Sequence, residues 1–268
     1  MNYQRYTTKA KFISTNRIRT TILDAFDEAH VNEILESRGF EVPALTIEKV
    51  DHEMPSSSQI DYAKSLEVNI PFGATKIDVS ALISMRLEMD SVPNPGLYAF
   101  ADNRKIFMSK FIGKKALYDK VYFSLSGRDK MAFFIYCIYR SLSEDRRANL
   151  DEHPYRNEIY RIADEMCDQV KLFKSASKYE GRELRYFGIA EINGSEVHGG
   201  SINTYAYKYV SSRLSKLYGI EKTKKFVVSD KRNMQSYLKS HTEKPNKAGG
   251  CASLAVAFAL LIAFCLIF

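Results

Sequence analysis

The chain has 268 residues, 45% hydrophobic and 26% charged, with a formal net charge of +7. Those proportions exclude wholesale disorder and allow one large domain or two small ones. The four cysteines, Cys137, Cys167, Cys251 and Cys265, lack CxxC or Cys/His spacing, which excludes a disulfide framework and makes a reducing compartment the default.

The first 23 residues carry Arg5, Lys9, Lys11, Arg17 and Arg19 and no acid. They lack the apolar core of a secretory signal and read as a basic strand and loop. Thr20 to Arg38 reads as an amphipathic helix, with Ile22, Leu23, Phe26, Ala29 and Ile34 at helical spacing and Gly39 as its terminator. Strands are expected next: a short one at 44–50, another at 60–70, and a long one at 77–89. In the last, Ile77, Val79, Ala81, Ile83, Met85, Leu87 and Met89 occupy every odd position. Val92 to Gly96, VPNPG, reads as a turn, and 97–108 as a hairpin.

The pattern then turns helical. A helix is expected from Arg128 to about Arg146 behind Ser126, and its apolar run Met131 to Cys137 implies burial against the sheet. A second helix is expected over 155–174, a strand over 183–192, a helix over 202–218, a short strand over 226–228 and a basic helix over 231–239. Early strands and late helices argue an α+β fold: an antiparallel sheet, with strands mainly in 40–110 and 183–192, packed by later helices.

From Cys251 the sequence reads CASLAVAFALLIAFCLIF, eighteen residues without a charge, ten of them Leu, Ile, Val or Phe. With Ala248 to Gly250 added, a helix here would be about 30 Å long, the thickness of a bilayer's hydrocarbon core. Residues 222–247 carry eight Lys or Arg against Asp230 and Glu243, a net +6. The expected organisation is a soluble domain over 1–230, a basic juxtamembrane segment over 231–249 and a transmembrane anchor over 250–268. Lys231, Arg232, Lys239, Lys244 and Lys247 would face an anionic leaflet, and the positive-inside bias keeps the soluble part cytoplasmic.

Walker, Rossmann, kinase, HExxH and GxSxG motifs are missing from the sequence, and no cofactor or metal is implied. The loop at 193–201 carries His198, Gly199 and Gly200 ahead of a helix. Glycine-rich backbone there can cradle an anion, and His198, with Glu183 and Arg185 on the preceding strand, is the candidate acid–base group. The plainer alternative is an ordinary glycine-bearing connection. Tyr205, Tyr207, Tyr209 and Tyr218 alternate with Lys208, Arg213 and Lys216, a pattern that serves base stacking or, at helical spacing, a core stripe. The expected function is a tail-anchored module that binds a protein partner or senses a ligand at the membrane, which also fits a membrane effector in cellular or phage conflict. The alternative is an enzyme or nucleic-acid-binding protein built on the His198 loop.

Overall fold

The computed structural model describes residues 3–41, 47–143, 145, 147, 149–192, 195–218 and 226–228. The chain opens as a hairpin of two nine-residue strands, β1 (Gln4–Phe12) and β2 (Arg17–Ala25), in antiparallel register with Tyr6 opposite Leu23. β-Branched Ile18, Thr20, Thr21 and Ile22 favour the extended backbone of β2. Asn16 closes the turn at φ 58°, a left-handed conformation that asparagine tolerates. The other edge of β1 takes β3 (Phe40–Glu41) and β4 (Glu48–Val50), both antiparallel. Helix α1 (Glu28–Ser37) starts at the Asp27 side chain, which accepts the His30 N–H, and gives way to Gly39 at φ 77°. Its Val31 and Leu35 cover the sheet face made by Tyr6, Ala10, Leu23 and Ala25.

Five helices follow: α2 (Ser57–Ser65), α3 (Lys76–Leu87), α4 (Pro95–Asn103), α5 (Lys114–Ser124) and α6 (Gly127–Ser143). Next come α7 (Arg156–Cys167), α8 (Val170–Ala176) and a 3-10 turn at Gly181–Arg185. A second sheet places β5 (Ile189–Ile192) between antiparallel β6 (Ser195–His198) and parallel β7 (Phe226–Val228), with α9 (Tyr205–Tyr218) in the connection. Every residue of α6 from Met131 to Tyr139 is buried, among side chains of α4, α5, α7, α8 and α9. Such a helix has no solvated face and forms the centre of the helical core.

The α+β class holds, but most of its expected strands lie elsewhere. Residues 57–65 and 76–87 are helical, and so is 95–103, so among the described residues the region 40–110 supplies only β3 and β4. In α3 the alternation is overridden by a helical face: Val79, Leu82, Ile83 and Met85 are buried, while Leu87 and Met89 are exposed. Asn94 caps α4 and Pro95 occupies its first turn, so VPNPG starts a helix rather than a hairpin. Residues 20–25 belong to β2, not to the helix expected from Thr20. The apolar run of α6 packs on helices, not on a sheet. The helix expected over 155–174 breaks between Cys167 and Val170, and the strand expected from Glu183 begins only at Ile189. The helix expected from Ile202 starts at Tyr205, and the short strand over 226–228 is present as β7.

The chain divides into two compact units, Met1–Arg232 and Asn233–Phe268. Among the described residues no helix is long and apolar enough to cross a membrane. The expected anchor over 250–268 and the basic helix over 231–239 lie outside the described residues.

Candidate functional site

His198 ends β6 opposite Ile189, exposed to solvent. The glycines after it are used for packing. The Gly199 N–H donates to the Gly188 carbonyl at 2.8 Å, and the Gly200 N–H to the Glu183 and Tyr186 carbonyls at 3.0 Å each. A Cβ at Gly199 would lie 2.3 Å from both the Tyr186 carbonyl oxygen and its ring; one at Gly200 would lie 3.0 Å from Phe187 and Tyr179. These amides, committed to backbone carbonyls, do not form the anion cradle expected of them. Glu183 accepts the Glu180 N–H at 2.9 Å and so caps its own 3-10 turn. Arg185 donates its Nε to the Arg182 carbonyl at 2.8 Å and lies 5.2 Å from the Tyr186 ring centre. Among the described residues, no hydrogen bond or ion pair joins His198 to Glu183 or Arg185.

The tyrosine–cation row on α9 also divides. Tyr207 is buried in the helical core. The Tyr209 hydroxyl donates to Glu165 at 2.8 Å, and Arg213 donates to the same carboxylate at 2.7 and 2.9 Å. Lys231, Arg232, Lys239, Lys244 and Lys247 lie outside the described residues.

A different polar pair forms on the first sheet. Cross-strand pairing sets Asp24 of β2 and Val50 of β4 on either side of Arg5, and His52 follows two residues after Val50. The His52 Nδ1 lies 3.5 Å from Asp24 Oδ1, with the two side chains 33% and 12% exposed. The His52 Nε2 lies 3.1 Å from the Tyr3 carbonyl oxygen, which only accepts, so Nε2 carries a hydrogen. A neutral ring would then turn a bare Nδ1 lone pair toward a carboxylate oxygen that is buried without a hydrogen-bond partner. The contact becomes attractive when one further proton resides on either member of the pair.

The surroundings favour the protonated form of the Asp24 carboxyl. Burial pushes the Asp24 carboxyl above the ordinary carboxylate range, against the opposing pull of Arg5, His52 and Lys120. Burial likewise lowers Lys120, whose ammonium lies 5.2 Å from the Phe107 ring centre. Arg5 is engaged by Glu53 at 2.6 Å, and Glu53 by Lys76 at 2.8 Å. The Tyr3 hydroxyl donates to the Ile106 carbonyl and ties the start of the chain to the loop after α4. The Asp24 carboxyl and the His52 ring thus face each other across two strand ends of the first sheet. They lie 28 positions apart, on different strand ends, and the only local hint is the polar triplet Asp51-His52-Glu53 beside a short strand.

Two further polar clusters have their charges matched internally. Arg104 grips Asp151 with two nitrogens at 2.6 and 2.9 Å and donates to the Tyr160 hydroxyl at 3.0 Å, which in turn donates to Asp129 at 2.7 Å. The His153 Nδ1 accepts the Tyr155 N–H at 3.2 Å, so its Nε2 donates to Asp145 at 3.0 Å. Among the described residues no three His, Cys, Asp or Glu side chains converge as a metal-ligand set. No family model matches the chain, and no curated protein or solved structure is significantly similar to it. Function is therefore argued from the residues alone.

Proposed function

We propose that the chain is a single-pass membrane-anchored protein whose folded α+β part faces the cytoplasm and works as a partner-binding or sensing module at an anionic leaflet. The observation that carries this reading is the run of eighteen uncharged residues from Cys251 to Phe268, preceded by a segment of net charge +6. Ten large aliphatic or aromatic residues at roughly −0.3 to −0.6 kcal/mol each favour insertion by several kcal/mol. The basic segment adds about 1 kcal/mol for each cation within a Debye length of the surface. Two features of the folded part support a binding or sensing role over catalysis by the His198 loop. The loop's glycine amides are occupied by backbone carbonyls. Asp24, whose carboxyl is raised by burial, lies 3.5 Å from the His52 ring on the first sheet.

The full chain should remain with vesicles through alkaline carbonate extraction. A chain ending at Lys247 should bind anionic vesicles weakly, release them with added salt, and ignore neutral ones. If the full chain is released by carbonate, the anchor reading fails. If the shortened chain prefers single-stranded RNA and treats both vesicles alike, the basic segment is a nucleic-acid element instead.

A further inference from the structure

The acid-free start of the chain is folded into a projecting ribbon. Residues 13–20, the turn and first half of β2, are all exposed. Three of the exposed large apolar side chains lie on this short stretch and just beyond it: Ile13 at 65%, Ile18 at 69% and Ile22 at 54% of full exposure. The strand register puts Lys11 opposite Ile18, Lys9 opposite Thr20 and Thr7 opposite Ile22. Opposed residues share a sheet face, and this is the face turned away from α1, which packs on Tyr6, Ala10 and Leu23. One side of the ribbon therefore presents Ile18 and Ile22 beside Lys9 and Lys11. Arg17 and Arg19 alternate with Ile18 along this edge strand and so leave from its other face, opposite Phe12 and Ala10; both are exposed, and neither has an ion-pair partner among the described residues. Among the described residues, Lys11 is met only by Glu41, at 4.0 Å.

We propose that the tip of this hairpin is a second membrane contact: Ile13, Ile18 and Ile22 enter the headgroup boundary of an anionic leaflet while Lys11 and, from the edge strand β2, Arg17 and Arg19 engage lipid phosphates. This deepens the membrane reading above and rests on it. The combination of side chains selects the partner. Cations alone would suit any polyanion, but exposed isoleucines gain nothing along a nucleic-acid backbone. Single-stranded bases stack on aromatic rings, and residues 13–20, ISTNRIRT, contain none. Aliphatic side chains flanked by lysine and arginine match a surface that is apolar beneath and anionic above.

The chain has no tryptophan, so one placed in the hairpin is a unique reporter. The test uses the full chain as Ile18→Trp in vesicles of anionic or neutral lipid. Ile22→Trp is a second reporter on the same face, and Phe72→Trp, at a fully exposed position in another loop, is the comparison. The expected result is a blue-shifted, acrylamide-protected emission at positions 18 and 22 with anionic lipid only, and no shift at 72. Adding Arg17→Gln and Arg19→Gln should reduce the docked fraction relative to the free one about fivefold per arginine. Carbonate extraction of the same samples reports the anchor separately. Protein released by carbonate that still shows the anionic shift supports the hairpin while the anchor fails. Protein retained by the membrane with quenching at 18 and 22 equal in both lipids overturns the proposal while the anchor stands. A shift produced by single-stranded RNA in place of lipid also overturns it.

Discussion

At the residue scale, three histidines show how one hydrogen-bond partner decides a proton's position. In His153 and His30 the Nδ1 accepts a backbone N–H, from Tyr155 and Phe26, and each ring sits comfortably neutral. In His52 the donor side is used by the Tyr3 carbonyl, leaving Nδ1 against Asp24. A carboxyl raised by burial contributes its stability below its unfolded value and loses it as pH climbs through the folded one. Asp24→Asn should therefore be more stable than the parent at pH 7, with the gain disappearing on acidification below the ordinary aspartate value of 3.8. Thermal unfolding at neutral and acid pH measures this. A variant less stable at pH 7 would mean that Arg5, His52 and Lys120 outweigh burial.

At the element scale, α6 dominates. Ile135 is fully buried in its centre, and Ile135→Ala should cost about 2–5 kcal/mol in denaturant unfolding. A cost under about 1 kcal/mol would mean that the core relaxes around the void. This helix was legible because a seven-residue apolar run between charged flanks has no other stable disposition. Of the four missed helices, α5 starts at Gly113 with no side-chain cap, and the other three share a different cause. Each begins with a side chain that accepts a backbone N–H: Ser56 for α2, Thr75 for α3 and Asn94 for α4. Thr75 and Asp78 even form a reciprocal capping box. The alternating apolar positions in 77–89 imitate a strand, but such caps mark a helix start more locally than any period. The candidate site was less legible still. The glycines at 199 and 200 answer to the Tyr186 and Phe187 side chains, and the Asp24–His52 pair to strand register; neither relation has a signature in adjacent residues.

At the scale of the whole molecule, the described residues include a small hydrophobic cluster between α1 and the first sheet and a large one around α6. A buried histidine is associated with each. Burial, with Lys105 nearby, lowers His30 on α1. Burial also lowers His153 beside α6, with Arg147 and Arg140 acting the same way and Asp145 opposing. The unfolded chain then binds protons more readily, so this stability is complete above the ordinary histidine value of 6.5 and is lost as pH falls below it. The melting temperature should drop between pH 7 and pH 5, and His153→Gln should flatten part of that slope. An unchanged slope would place the sensitivity elsewhere.

The pairing order of the first sheet also bears on how the protein is made. β1 finds all its partners, β2, β3 and β4, by Val50, before any residue of the large helical core. Closing such short loops costs little chain entropy. During synthesis this sheet can assemble outside the ribosome while α6 is still untranslated, whereas β5 must wait for Phe226 to arrive as its parallel neighbour. The small cluster under α1 is therefore complete in the chain before the first residue of the large one has been added.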